Sequence, residues 1–254
     1  MLYHAVALPT DIKAAYLVPI SDLHVGDPLF DEQKFMRLAD WIAQTPNAWV
    51  VLLGDLMNTA LKSSKSDIYQ ERLNPQQQLR YAKKLLLPIK DRILAAVEGN
   101  HEQRIMREDG IDTTELLADE LGVFYSPHSV LLKITLGAGS KNGKPQCYTV
   151  YATHGVGSGR TVGAKANSLR RLRDIVLADI YITGHIHWMT AFQETYYVPD
   201  TRNNKITETK LTFVSSSSFL KWGGYAEEKL LVPSKLGVPR IRLDGTRKDV
   251  HVSI

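Results

Sequence analysis

The sequence predicts an α/β protein in which strands and helices alternate along one domain, residues 1–254. Short apolar runs, each long enough for a strand, recur between segments whose apolar residues return at helical spacing. Most of these runs end in Gly, Asp, Asn or His, as expected where strands meet loops that carry a site. No internal repeat or low-complexity linker divides the chain, so a single domain is the simplest interpretation.

The first half of the chain predicts three strands separated by helices. The runs AAYLVPI, AWVVLL and RILAAV are typical of strands. Apolar residues at helical spacing predict a helix from about Asp31, and Asn74 followed by Pro75 predicts the start of a second helix that continues through Leu87. The apolar positions of the first helix are Phe35, Leu38, Ala39 and Ile42.

The second half predicts more strands than helices. Asp112 and Glu115 indicate a capping box for a helix that ends at Gly122. SVLLKITL and QCYTVYAT, separated by a loop of Gly, Lys and Asn, predict a hairpin with a long turn. ADIYIT predicts a strand, further strands are indicated at 190–198, 210–215 and the C-terminus, and the four serines from Ser215 to Ser218 indicate a loop.

The composition excludes several classes of protein. A chain that is 44% hydrophobic and 23% charged is ordinary globular material with a sizeable core. The net charge of +4 and a pI of about 9.0 mildly favour anionic partners. One cysteine, Cys147, excludes an internal disulfide and a cysteine-rich metal cage. The chain begins without a signal-peptide pattern and has no membrane-length apolar run, so we expect a soluble cytoplasmic protein.

Polar residues follow the ends of the predicted strands. Ligand sites of open α/β sheets lie at the carboxyl ends of the strands, so we expect a site there. Asp22 and His24 are two residues apart, and they should therefore project from the same face of the strand. Imidazole, carboxylate and amide groups without thiolate suit Mn, Fe, Zn or Ni. The strand-end residues are Asp22, His24, Asp55, Asn58, Asn100, His101, Glu102, His154, His185 and His187.

Each of these signals alone has a common structural explanation. A single histidine is more often a surface or core residue than a ligand, and Gly-Asp after a strand is usually a turn. His4, His128 and His251 lie outside any such motif, and we expect no functional role for them. Five strand-end motifs in one order are hard to attribute to chance.

This ordered set, DLH, GDLMN, GNHE, THG and GHIH, resembles the calcineurin-like metallophosphoesterases over residues 20–188. The resemblance implies a two-sheet β-sandwich flanked by helices, with two divalent metal ions at the strand ends. It implies that His101 lies outside the ligands, near the scissile phosphate, as a catalytic residue. The implied ligands are Asp22, His24 and His187 for one ion, Asn100, His154 and His185 for the other, and Asp55 for both.

The residue types suit these implied roles. Two divalent ions about 3.5–4 Å apart can activate a shared water and clamp the attacking and leaving oxygens. Asp55 has two oxygens with which to bridge, and the neutral amide of Asn100 limits the negative charge that a phosphate must approach. His101 could protonate the leaving oxygen or stabilise charge, a contribution of about 10²–10⁴-fold, and Glu102 is a candidate for orienting it. We favour manganese as the metal.

The substrate is less strongly indicated. Thr59 and Ala60 stand where protein serine/threonine phosphatases carry DRG, which argues against that group. The first motif and its helix resemble DNA-repair nucleases and the small subunits of archaeal replicative polymerases, so we expect a phosphodiesterase or nuclease acting on DNA. The alternatives are a phosphohydrolase of a small nucleotide or other phosphorylated metabolite, and a non-catalytic binding module, which the complete ligand set disfavours.

A glycine-loosened basic loop follows His154. Arg160 and Lys165 are the candidates for contacts with a phosphate backbone, ahead of Arg170, Arg171 and Arg173. The alternative is a solvated basic helix face. Its inward residues would be Leu169, Leu172 and Val176. The polar segment 59–72 is a candidate cover over the site.

Overall fold

Two six-stranded sheets pack against each other in the computed structural model, which describes residues 1–64, 67–138, 143–157 and 159–254. The first sheet mixes parallel and antiparallel neighbours, and its longest pairing is the antiparallel hairpin formed by its last two strands. In spatial order its strands are β1 (Leu2–Ala7), β6 (Ser129–Leu136), β7 (Gln146–Thr153), β8 (Ile180–Thr183), β10 (Lys205–Ser215) and β9 (Thr190–Asp200).

The second sheet contains the three strands that the first half of the sequence predicts. These strands pair in parallel and are largely buried, which explains their continuous apolar sequences. In spatial order the sheet consists of β12 (Val250–Ser253), β11 (Arg240–Asp244), β2 (Ala14–Ile20), β3 (Ala48–Leu52), β4 (Ile93–Val97) and β5 (Tyr125–Ser126).

Helices cover the outer faces of both sheets. The N-cap predicted at Asn74 forms, as part of a capping box, and Asp31 caps its helix by accepting from the N–H of Lys34. Of the box predicted for Asp112 and Glu115, the structure gives the N-cap half, in which Asp112 accepts from the N–H of Glu115. No helix in the described ranges is long and apolar enough to cross a membrane. The helices are α1 (Glu32–Gln44), α2 (Pro75–Leu86), α3 (Glu102–Asp109), α4 (Thr113–Leu121), α5 (Val162–Arg170) and α6 (Tyr225–Glu228).

Three apolar clusters hold the layers together. One lies between the sheets, and includes Val51 and Val150. Another joins the second sheet to α1, α2 and α4, and a third joins the first sheet to α5 through Leu169 and Phe213. The order helix, sheet, sheet, helix confirms the predicted fold class.

The sequence did not predict β1 and α3, nor the short elements β5 and α6. In β1 the half-buried residues alternate with exposed ones along an edge of the first sheet, so its apolar signal is weak. In α3 only Glu102 and Ile105 are buried. The hairpin of β6 and β7 is confirmed, although residues 139–142 of its turn lie outside the described ranges.

Candidate metal centre

Left-handed backbone conformations gather where the predicted ligands stand. Residues other than glycine rarely adopt a positive φ, because the Cβ atom then crowds a backbone carbonyl, at a cost of about 1–3 kcal/mol each. Such strain is typical of functional sites. The residues concerned include Asp22 (φ 55°), His24 (φ 51°), Asp55 (φ 50°), His185 (φ 66°) and His187 (φ 47°).

This backbone corrects the expectation for Asp22 and His24. The strand β2 ends at Ile20, so neither residue is extended, and alternation along a strand does not bring them together. Two left-handed residues in the following loop do so instead. His24 Nε2 lies 3.8 Å from Asp22 Oδ1.

Hydrogen bonds between loops hold this strained backbone. The N–H of Asp22 donates to the carbonyl of Gly54 (3.1 Å), and the N–H of His24 donates to the carbonyl of Asp55 (3.0 Å). The loops after β2 and β3 therefore support each other, although 33 positions separate Asp22 and Asp55 in the sequence.

Glu102 fixes the loop that carries Asp55. Its carboxylate is fully buried and accepts the N–H groups of Asp55 (3.0 Å), Met57 (2.9 Å) and Gly99 (3.2 Å). Three backbone donors satisfy an acceptor that burial would otherwise leave unpaired. Glu102 consequently positions Asp55, and it does not orient His101 as the sequence suggested.

The first cluster consists of Asp22, His24 and His187. His187 Nε2 lies 3.0 Å from Asp22 Oδ1 and 3.3 Å from His24 Nε2. Asp55 Oδ2 approaches this cluster to 4.0 Å from His24 Nε2. The three side chains thus converge on one point, as the resemblance implies.

The second cluster consists of Asn100, His154 and His185. His154 Nε2 lies 3.0 Å from Asn100 Oδ1 and 3.2 Å from His185 Nδ1. The same oxygen of Asp55, Oδ2, lies 3.3 Å from His154 Nε2. Asp55 therefore lies between the two clusters, and its role as a bridging ligand stays a prediction.

The spacing of these atoms suits divalent metal ions. Ligands about 2.0–2.2 Å from an ion at tetrahedral or octahedral angles lie about 3.0–3.5 Å apart. Several of the distances above fall in that range. The distances alone also fit a grouping of His24, Asp55 and His101, whose ligand atoms lie within 4.8 Å of one another. The assignment of individual ligands accordingly stays a prediction.

Hydrogen bonds on the outer nitrogens orient three of the histidines. Nδ1 of His24 faces Asn58 Oδ1 (3.1 Å), Nδ1 of His154 faces the carbonyl of Leu53 (2.7 Å), and Nε2 of His185 faces the carbonyl of Gly157 (3.1 Å). Because each of these oxygens can only accept a hydrogen bond, the ring nitrogen that faces it carries the proton. The opposite nitrogen then presents its lone pair to the cluster, as a metal ligand must.

Burial and mutual charge set the protonation of the clusters. Burial would raise the pKa of Asp22, but His187 and His154 lower it to about 2, and the pKa of Asp55 is also held well below its usual value. Burial and the charge of His101 lower the pKa of His24 to about 3. Burial would lower the pKa of His154, yet Asp55 raises it to about 10, so a metal ion must displace that proton.

His101 lies beside the clusters with a cationic neighbour. Its Nδ1 donates to the carbonyl of Asn58 (2.7 Å), and its Nε2 lies 2.9 Å from a guanidinium nitrogen of Arg104 and 3.8 Å from Asp55 Oδ2. Arg104 was not predicted from the sequence. Its position one helical turn after His101, in HEQR, is the signal that could have identified it.

A cavity of about 570 Å³ opens above the clusters. Arg160 and Lys165, whose contact with a phosphate backbone stays a prediction, line it, whereas Arg170 and Arg173 pair with Glu194 at 2.6 and 3.8 Å. For these two arginines the helix-face alternative holds. Further lining residues that sequence reasoning missed are Asp27, Lys221, Trp222, Tyr225 and Lys229.

The segment 59–72 supports the site from the side. Thr59 is fully buried and donates to the carbonyl of His101 (2.5 Å), and Glu71 accepts from Asn58 (2.5 Å). The two ends of the segment are therefore packed against the site, whereas Tyr69 between them is 90% exposed, and residues 65–66 lie outside the described ranges. Outside the clusters, His4 stacks on Phe124 at 4.1 Å.

Comparisons with known proteins give one family and several similar solved structures. The model of the calcineurin-like phosphoesterase family matches residues 18–189. No curated protein matches the chain. Similar solved structures include an uncharacterized, predicted phosphoesterase from Streptococcus pneumoniae (14% identity, 95% of this chain and 90% of that one, TM-score 0.43). Others are Vps29 from Entamoeba histolytica (16%, 94% and 97%, TM-score 0.41) and NAD nucleotidase from Haemophilus influenzae (10%, 95% and 49%, TM-score 0.46).

Proposed function

Because the chain belongs to the calcineurin-like phosphoesterase family, we propose that it is a phosphodiesterase that hydrolyses nucleic-acid phosphodiester bonds with two divalent metal ions. The family supports a metal-dependent phosphoester hydrolase, and the Asp and His clusters could hold the metals. Two ions, manganese as their identity, and a nucleic-acid substrate are the finer parts of the proposal.

Different residues of the chain would bind the metals and act on the substrate. When bound, the ions would lower the pKa of a water and polarise the phosphate oxygens. The two clusters would hold them, with Asp55 between. His101 would donate a proton to the leaving oxygen or stabilise charge. To donate, it must first take up a proton on Nε2, which accepts from Arg104 while Nδ1 donates to Asn58. Arg104 would supply a fixed positive charge beside it.

The observation that carries the proposal is the distribution of cations around the cavity. A phosphate at the clusters needs the metals and the groups of His101 and Arg104. Further cationic side chains line the same cavity. A substrate with a single phosphate group would leave them without an anionic partner. They are Arg160, Lys165, Lys221 and Lys229. A polynucleotide carries additional phosphates on both sides of the scissile bond, which these side chains could neutralise.

The direct experiment compares three substrates. Protein loaded with Mn²⁺ is assayed on single-stranded DNA, on bis-p-nitrophenyl phosphate and on a nucleotide monoester, with chelated protein as the control. We expect metal-dependent cleavage of the DNA and of the small diester, and slower release of phosphate from the monoester. Hydrolysis of the monoester alone would contradict a phosphodiesterase.

A second candidate is a phosphohydrolase of a small nucleotide or other phosphorylated metabolite. It is favoured by the size of the cavity, because about 300–1,000 Å³ is usual for pockets that bind small molecules. A binding module without activity is disfavoured, because the side chains of both clusters are in place and converge.

A further inference from the structure

A wall that mixes large apolar side chains with charged ones borders the cavity on one side. It is formed by residues 221–232, between β10 and β11, and includes the short helix α6. Trp222 and Tyr225 line the cavity and are 47% and 49% exposed, and Leu230 and Val232 are 83% and 80% exposed. Large apolar side chains exposed together beside a site indicate a surface for binding.

Hydrogen bonds hold the wall in one shape. The indole N–H of Trp222 donates to the carbonyl of Leu231 (2.8 Å), and the N–H of Leu231 donates to the carbonyl of Ala226 (2.8 Å). At its base the N–H of Lys221 donates to the carbonyl of Leu29 (2.9 Å). The indole ring is thus oriented before any ligand arrives, which reduces the entropy lost on binding.

The wall begins beside a predicted ligand. The N–H of Phe219 donates to the carbonyl of Asp22 (3.0 Å), only three residues before Trp222. Arg160 and Lys165 line the same cavity. The cavity therefore offers groups for a phosphate at its floor, cations for further phosphates, and aromatic rings for an uncharged flat group.

We propose that Trp222 and Tyr225 form a stacking subsite for an unpaired nucleobase next to the scissile phosphate. The inference deepens the proposed function and rests on it. Stacking on aromatic side chains is how proteins hold single strands without reading their sequence, and each stacked base typically strengthens binding by about 5- to 100-fold. A base within a duplex has no free face, so the subsite favours single-stranded or frayed ends.

An acyl chain of a lipid phosphoester is the competing occupant. The cations fit the phosphates of either ligand. The nucleobase is favoured because two aromatic side chains line the cavity and the Trp222 indole is fixed by a hydrogen bond, which suits a planar partner. Lys229 Nζ lies 5.8 Å from the centroid of the Tyr225 ring, so Trp222 is the main stacking surface.

The experiment compares the affinity of the protein for a strand that carries bases with its affinity for a strand that lacks them. Dissociation constants are measured by fluorescence anisotropy, in EDTA, for a labelled oligothymidylate and for the same backbone made of abasic residues. Wild type should prefer the base-bearing strand by about 5- to 100-fold. Trp222→Ala should remove most of this ratio, and Trp222→Phe should restore most of it. With Mn²⁺ present, the kcat/KM for the base-bearing strand divided by that for the abasic strand should change in parallel.

Tyr197→Ala is the matched control, because Tyr197 is 75% exposed on β9 and lies outside the cavity lining. Its ratio should equal that of wild type. An unchanged ratio in Trp222→Ala, or equal weakening of both strands, would overturn the subsite. Binding of wild type to phosphatidylglycerol vesicles that Trp222→Ala abolishes, without any base preference, would identify the lipid occupant and also overturn it.

Failure of the proposed function gives a different result. If the protein loaded with Mn²⁺ cleaves no DNA, the nuclease proposal fails. The subsite is then tested by the ratio of kcat/KM for thymidine 5′-monophosphate to that for deoxyribose 5-phosphate. A ratio well above one that Trp222→Ala removes supports a base subsite in a nucleotide hydrolase. A ratio near one in wild type overturns it.

Discussion

At the scale of single residues, Asp55 has the most connected position in the site. Its Oδ2 lies 3.3 Å from His154 and 4.0 Å from His24, so one carboxylate faces both clusters. Removing a ligand that serves one ion should leave the other ion in place. Removing Asp55 should weaken the binding of both.

The first prediction concerns metal content. Asp55→Asn should lose more metal than any other single change among the seven ligands, and Asn100→Ala should retain about one ion per chain. Inductively coupled plasma mass spectrometry of purified variants, after dialysis against limiting Mn²⁺, measures this. Two ions per chain in Asp55→Ala would refute the bridging assignment.

The second prediction separates His101 from the ligands. His101→Ala should keep both metals and lose turnover by about 10²-fold or more, because it removes an acid or a charge-stabilising group. The loss should be smaller for p-nitrophenyl esters, whose leaving group needs little protonation. Metal content and kcat on both substrate types are the measurements, and loss of a metal ion would make His101 a ligand.

Arg104 provides the comparison for His101. Its guanidinium cannot give up a proton at neutral pH, so Arg104→Gln should slow good and poor leaving groups by similar factors. A dependence on the leaving group in His101→Ala that is absent in Arg104→Gln would identify His101 as the proton donor.

The identities of the clustered residues could be predicted because each follows an apolar run within a recognisable motif, but their geometry could not. Asp22 and His24 meet through a left-handed loop, and no rule of strand alternation predicts that backbone. The role of Glu102 depends on the N–H groups of Asp55 and Met57, more than 40 positions away in the sequence.

At the scale of elements, the loops after β3 and β4 touch through glycines. A Cβ built on Gly54 would lie 2.3 Å from the backbone nitrogen of Gly99, where no real Cβ atom fits. Gly54 also has φ +81°. This close approach brings Asp55 and Asn100 into one site, so here packing between loops and function depend on the same contact.

The third prediction compares two glycines with positive φ. Gly110→Ala, at φ +70° with open space around it, should cost only the strain of the left-handed backbone, about 1–2 kcal/mol. Gly54→Ala should cost at least about 2 kcal/mol more, since backbone must move, and should reduce metal content. Urea unfolding measures both, and equal losses would show that the close approach is unimportant.

Elements with a strong apolar pattern were predictable, and weakly patterned ones were not. The strands β2, β3 and β4 are largely buried on both faces, so their sequences are continuous apolar runs that are readily interpreted as strands. The helix α3 is short and mostly polar. Its Glu102 is buried because it accepts backbone N–H groups, and a search for apolar residues at helical spacing does not detect this.

At the scale of the whole molecule, the two sheets bring distant loops to one edge. The first cluster takes Asp22 and His24 from the loop after β2 and His187 from the loop after β8, which belong to different sheets. The pairing of the sheets therefore builds the site. The motifs place the predicted ligands in order along the sequence, but they do not show which loops meet. The residues of the wall at 221–232 carry no motif that marks them.

The charge of the molecule is also distributed unevenly. A net charge of +4 is modest for 254 residues, yet five cationic side chains among the described residues line the cavity above the clusters. If a polynucleotide occupies this cavity, some of its counterions must be released on binding. The affinity should then depend on salt, and the dependence should reside in those side chains.

The fourth prediction tests this with Arg160 and Lys165. The double variant Arg160→Ala/Lys165→Ala should bind single-stranded DNA more weakly, and the slope of log affinity against log salt should fall by about 1.4, or about 0.7 per lost contact. Hydrolysis of bis-p-nitrophenyl phosphate should change little, because that ester needs only the clusters and His101. Anisotropy titrations between low and physiological salt give the slope.

Arg202→Ala is the matched control, because Arg202 is exposed in the turn between β9 and β10 and lies outside the cavity lining. It removes one positive charge from the molecule without removing one from the cavity, so its slope should equal that of wild type. An enzyme for small metabolites would behave in the opposite way. It would show no measurable DNA affinity at physiological salt, and the double variant would lose turnover of the small substrate.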